Sequence, residues 1–222
     1  MHDDRKDELT QPPPEETVER GIPKRFHLPG VILLALIWAA YLWHFNTGML
    51  GWGLSAEALA QGRYENIVLH MFAHGGLLHI VFNSLVLFSL AAPVMTYMGP
   101  TPGSYVRFFV FYFLSGLAGA AMFLAFNPQG FIPMVGASGA ISGLIGLAAR
   151  LHSSGAGLIP MSSRQLWLRI WDFVKANLLL IALITVPILL TGGQGGIAWE
   201  AHLGGFLVGM LGARWFVDPV YR

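Results

Sequence analysis

The sequence predicts an all-α polytopic membrane protein, a bundle of six transmembrane helices. Three observations predict it: a scarcity of charge, six apolar stretches near bilayer length, and a one-sided distribution of lysine and arginine. The 222 residues are 55% hydrophobic and 11% charged, with a mean hydropathy of +0.58. Soluble domains carry about 25% charged residues, so the surface of this chain must meet something other than water. A net charge of +1 gives no footing for nucleic acid. The lack of cysteine excludes disulfides, thiol catalysis and thiolate metal sites.

In chain order, residues 1–26 are charged, carry three consecutive prolines at 12–14 and show no apolar period. A disordered cytoplasmic tail is expected there. A span needs about 20 mostly apolar residues, and the candidates are 28–45, 77–98, 108–126, 135–149, 176–190 and 197–217. The first lies too far from the N-terminus for a cleaved leader, so it reads as a retained helix. Gly, Pro and charge punctuate the chain between spans, as in Gly99-Pro100-Thr101-Pro102-Gly103, Asn127-Pro128 and the glycines of 192–196. Residues 51–71 are too polar to span and too apolar for an ordinary loop, which suggests a structure lying in the interface. The spans make one domain, 27–217, followed by a short cytoplasmic C-terminus, 218–222.

Cytoplasmic loops collect Lys and Arg. With six spans, twelve of the thirteen fall on one side and only Arg63 falls outside. Both termini are therefore expected in the cytoplasm.

Polar side chains inside a membrane are functional candidates by default. His79 and Asn83 share one face of span two at i,i+4. Span four opens with Gly136-Ala137-Ser138-Gly139, and span six carries Glu200-Ala201-His202. Ser138 lies twelve residues before Arg150, and His202 lies twelve before Arg214. At a rise of about 1.5 Å per residue, each sits about 18 Å above its cytoplasmic arginine. A serine and a histidine on two helices thus share one depth, and Asn83 falls within about a turn of it. Gly139 and Gly143 on span four, and Gly205, Gly209 and Ala213 on span six, have the small-xxx-small spacing that lets backbones approach closely. That approach would bring the Ser138 hydroxyl to the His202 ring.

Taken singly, a membrane serine bonds its own helix or a neighbour, which is the reading for Ser84, Ser89 and Ser142. His44, His70, His74 and His152 lie at span ends or in loops and read as interfacial or structural. A zinc site from His70, His74 and His79 would place its ligands on a loop entering a helix, with no carboxylate at matching depth. No metal and no cofactor is expected.

At His79-xxx-Asn83, Gly136-Ala137-Ser138-Gly139 and Ala201-His202-Leu203-Gly204-Gly205 the chain resembles the rhomboid family of intramembrane serine proteases, over about residues 28–217. His74 matches a further histidine of the family pattern. The resemblance implies a six-helix rhomboid bundle of the bacterial type in an inner membrane, with Ser138 and His202 as a catalytic dyad. It also implies an oxyanion hole from His79, Asn83 and the Ser138 backbone, and single-span membrane proteins as substrates. Where the family often has Trp-Arg in the first outer loop, this chain has Glu65-Asn66. Where it often has an aromatic stacked on the histidine, this chain has Ser142, so either another group holds the imidazole or the ring is held less firmly. Glu200, at i−2, points away from His202 and leaves a dyad. The glycines of 192–196 leave span five able to tilt as a lateral gate. A non-catalytic protein binding membrane helices, or a small transporter, are the alternatives. The first would be expected to lack the serine or the histidine, and the second to show a repeat or charged spans. Oligomeric state is not legible.

Overall fold

The structure is a computed structural model that describes residues 22–45, 48, 50–152, 155 and 157–222. The expected tail lies outside the described residues as far as residue 21. Its end is ordered: Lys24–His27 forms a 3-10 turn with Phe26 buried, and runs directly into the first long helix.

Among the described residues there are six helices of thirteen residues or more: α1 (Leu28–Trp43), α2 (Leu77–Met98), α3 (Pro102–Phe126), α4 (Ser138–Arg150), α5 (Arg164–Leu180) and α6 (Trp199–Phe216). Proline occupies the first turn of α1 and of α3, where its missing N–H costs no helical bond. α2 has the bounds that its apolar run predicts, because Gly76 precedes it and Gly99, at φ +97°, turns the chain out of the helix. α3 starts six residues before the expected 108. Arg107 fits inside it because its guanidinium donates to the Met98 carbonyl at 2.6 Å and to Ser104 Oγ at 3.0 Å.

α5 differs most from expectation, beginning at Arg164 rather than 176. Its first half is too charged to read as a span, yet Arg169, Asp172 and Lys175 are accommodated. Leu166 is buried, Lys175 pairs with Asp172 at 2.7 Å, and Arg169 donates to the carbonyls of Ala148, Ala149 and Leu151 at the end of α4. Those carbonyls lie at a helix C-terminus, a favourable place for a cation. Beyond Leu180 the helix loosens into a π turn, Ile181–Thr185, and resumes as Val186–Leu190.

α4 is the central element, in contact with α2, α3, α5 and α6, and nine of its thirteen residues are buried. α1 packs on α2, while α5 lies at the periphery. By length and composition four helical stretches can cross a membrane: Lys24–Trp43, Leu77–Met98, Pro102–Phe126 and Arg164–Leu190. The fourth and sixth expected spans do not reach that measure. α4 rises only about 20 Å and is sheathed by protein rather than lipid, while α6 carries Glu200, His202 and Arg214.

Between α1 and α2, the predicted interfacial segment holds two short helices, Ala56–Ala60 and Asn66–Leu69. The Asn66 amide anchors it, donating to the carbonyls of Gly51 at 3.0 Å and Gly53 at 2.8 Å. An antiparallel bridge from Leu54 to Met134 ties the segment to the extended chain entering α4.

Candidate active site

α4 and α6 run parallel in backbone contact. A Cβ added to Gly205 would strike the Gly139 carbonyl oxygen, and one added to Gly209 would strike that of Gly143. Gly143 is itself covered by Ser115 of α3. All four glycines singled out from the sequence therefore lie on one seam. Gly146 extends it against the Phe206 carbonyl, and Gly119 brings α3 against the Ala201 carbonyl.

This seam aligns the first turns of the two helices. Ser138 is the first residue of α4 and His202 the fourth of α6. Nε2 of His202 lies 2.8 Å from Ser138 Oγ. The histidine is buried and the serine half-buried. At the start of α4, the first N–H groups, including that of Ser138, have no partner within the helix; the first helical bond runs from Ile141 N–H to the Ala137 carbonyl.

The ring's other nitrogen is also engaged. His202 Nδ1 lies 2.6 Å from Oδ1 of Asn177 on α5. The Asn177 amide nitrogen donates to the Phe173 carbonyl one turn back at 3.0 Å, so its oxygen must face the ring. That oxygen only accepts. Nδ1 is therefore protonated, and Nε2 presents its lone pair to the serine. The sequence pattern offers His202 no orienting partner; the structure supplies Asn177. Ser142, at the position where the family often has an aromatic, is buried without reaching this role. Glu200 accepts from Asn127 at 3.2 Å, directed away from the ring.

His79 lies near the serine, on the other side of Gly136. The Gly136 position, at φ +124°, lies between them, with a hypothetical Cβ 2.7 Å from His79 Nε2 and 3.7 Å from Ser138 Oγ. Only glycine allows both this backbone and this approach. Asn83 is buried one turn along α2, and its amide donates to the His79 carbonyl at 3.0 Å. In this arrangement it is turned along its own helix rather than toward Ser138.

A buried loop supports the group. Gly136 N–H donates to the His70 carbonyl at 2.8 Å, and His70 Nδ1 lies 3.0 Å from the Asn66 carbonyl. Burial pushes the His70 imidazolium down to about 4. His74, whose ring stands 5.0 Å from that of His79, is also lowered to about 4, by burial first and by the charge of His79 second. Among the described residues no three His, Cys, Asp or Glu side chains are grouped to hold a metal ion.

A family model described as the rhomboid domain matches residues 61–218. The chain belongs to the rhomboid family. With its long apolar helices, this makes it a multi-pass integral membrane protein. Among curated rhomboid relatives, it is 28% identical over 155 residues to the rhomboid protease GluP of Bacillus subtilis, covering 70% of this chain and 26% of that protein. It is 30% identical over 173 residues to the mitochondrial RHOMBOID-like protein 12 of Arabidopsis thaliana, covering 70% and 47%. The match to RHOMBOID-like protein 5 of the same plant is 28% over 169 residues, covering 76% and 49%. The chain thus spans between about a quarter and a half of the length of these rhomboid relatives.

Proposed function

We propose that this protein is an intramembrane serine endopeptidase that cleaves single-span membrane proteins, with Ser138 as nucleophile and His202 as base. The observation that carries this reading is the 2.8 Å contact between His202 Nε2 and Ser138 Oγ at the mouth of a helix. A nucleophile, a base for its proton and N–H donors where negative charge develops are what acyl transfer requires.

His202 Nε2 takes the hydroxyl proton as Ser138 Oγ attacks the scissile carbonyl carbon. The resulting oxyanion is met by the Ser138 N–H at the head of α4, by His79, and by Asn83, whose amide has a second N–H to offer. Collapse breaks the C–N bond, and the proton on Nε2 goes to the leaving amine. Water then gives a proton to His202 as it attacks the acyl ester, and that proton passes to Ser138 Oγ as the acyl C–O bond breaks, releasing the acid and restoring the pair. A helical substrate must unwind locally to present its carbonyl, so segments weak in helix propensity are the expected targets.

The same reading holds six spans in the membrane, with α4 and α6 as short spans wrapped by the others. The site opens outward and both termini lie in the cytoplasm, with the Lys24–His27 turn joined to the catalytic domain rather than to the tail before it. Purified protein in bilayers with a single-span reporter tests it. Ser138→Ala should lower cleavage by a factor of about 10³ or more, and unchanged cleavage by that variant would overturn the reading.

A further inference from the structure

Asn177 faces the site from outside the machinery just described. It sits on α5, where only Leu166 near the start is buried, and it is the helix's polar contact with the base. One turn before it, Phe173 stacks on Phe206 with ring centroids 4.0 Å apart and planes 16° apart. Phe206 lies one turn after His202. The pairs 173/206 and 177/202 are therefore successive rungs between α5 and α6, and the aromatic rung sets the height of the polar one.

Resting on the reading of Ser138 and His202 as nucleophile and base, we propose that Asn177 is the positioning residue of that base. It fixes the imidazole in the Nδ1–H tautomer, so that Nε2 can take the serine proton only while α5 is docked. The chemistry is that of an acceptor placed on the far nitrogen of a general base. A neutral amide suffices, because its donor end is spent on Phe173 and only its acceptor end reaches the ring. Without that acceptor the buried Nδ1–H loses its partner. The alternative tautomer, with the proton on Nε2, then competes and cannot accept from Ser138.

The test uses the full chain in bilayers with the single-span reporter. Asn177→Leu keeps the volume and removes the acceptor. It should lower kcat about ten- to a hundredfold, the cost of one hydrogen bond to a group that becomes charged, with KM within about twofold. Asn177→Asp keeps an acceptor and should exceed Asn177→Leu in kcat by about tenfold or more. Nitrogen-15 spectra of the His202 ring in the unmutated protein should show the proton on Nδ1, and in Asn177→Leu a growing Nε2–H population. A ring protonated on Nε2 in the unmutated protein, or an Asn177→Leu variant with unaltered kcat, would overturn the proposal. The first of these results decides it even if the leucine variant unfolds. Failure of the protease reading itself is separate, since it shows as cleavage that survives Ser138→Ala.

Discussion

Gly205→Ala adds one methyl group at the tightest point between α4 and α6. Its Cβ would land on the Gly139 carbonyl oxygen and 2.8 Å from the carbonyl carbon, where ordinary contact begins at 3.4 Å. Both obstacles are backbone, so no side chain can swing away. The helices must part by at least 0.6 Å to clear the carbon, and by more to clear the oxygen. Ser138 is the neighbour of Gly139, and His202 lies one turn before Gly205, so the separation is transmitted almost directly to the 2.8 Å Ser–His bond. That bond opens to about 3.4 Å or beyond, past the range of an effective hydrogen bond. A misplacement near 1 Å costs on the order of 10² in turnover, and overpacking costs about 1–3 kcal/mol of stability. The control lies on the same helix. A Cβ at Gly212 meets nothing closer than 3.7 Å, on the Phe216 ring, so Gly212→Ala should keep activity and gain up to about 1 kcal/mol from helix propensity. Reporter cleavage and thermal melting are measured on both variants. A folded Gly205→Ala protein that cleaves at the unmutated rate would refute the idea that backbone contact sets the distance within the pair.

Gly136→Ala is expected to lower kcat about tenfold or more, read in the same cleavage assay. It strains a left-handed backbone and drives a methyl group 2.7 Å from His79 Nε2, displacing a donor of the proposed oxyanion hole. Acid should loosen the loop before α2. His70 has a folded pKa near 4 against 6.5 when unfolded, so its stabilising contribution is complete above pH 6.5 and is lost as pH falls from 6.5 toward 4. The full difference is on the order of 3 kcal/mol. The melting temperature should therefore drop across that range, and less steeply in His70→Asn, which retains a donor toward the Asn66 carbonyl; equal slopes would count against the assignment.

Much of the pair's placement is legible in the residue order alone. Ser138 and His202 lie on helices that run in the same direction, so counting back from Arg150 and Arg214 compares like with like. The α2 bounds are legible because Gly76 and Gly99 punctuate both ends of a long, mostly apolar run. The start of α5 is not, because Arg169, Asp172 and Lys175 look like loop until one sees the α4 carbonyls that take up the arginine and the pairing of the other two. Asn177 carries a signal, a lone amide at the head of the apolar run 176–190. Its partner could not be named, since the register of α5 on α6 is set by the Phe173–Phe206 stack, a long-range contact that no local period encodes. The anchoring of the outer loop through Asn66 to two backbone carbonyls is likewise invisible in the pattern.

The π turn at Ile181–Thr185 changes which way the end of α5 faces. In an uninterrupted α-helix, eight residues sweep about 800°, which would leave Thr185 about 80° around the helix from Asn177. One extra residue in a turn takes up about 100° of that sweep, bringing the two side chains within about 20° of each other. Both do meet the same neighbour: Asn177 at the His202 ring, and Thr185 Oγ1 as acceptor for the Ile197 N–H, 2.9 Å away, just before α6 begins. The turn therefore acts as a phase corrector. It lets one helix present polar groups to α6 at two heights while the residues between them, such as Leu178 and Leu183, turn outward to lipid.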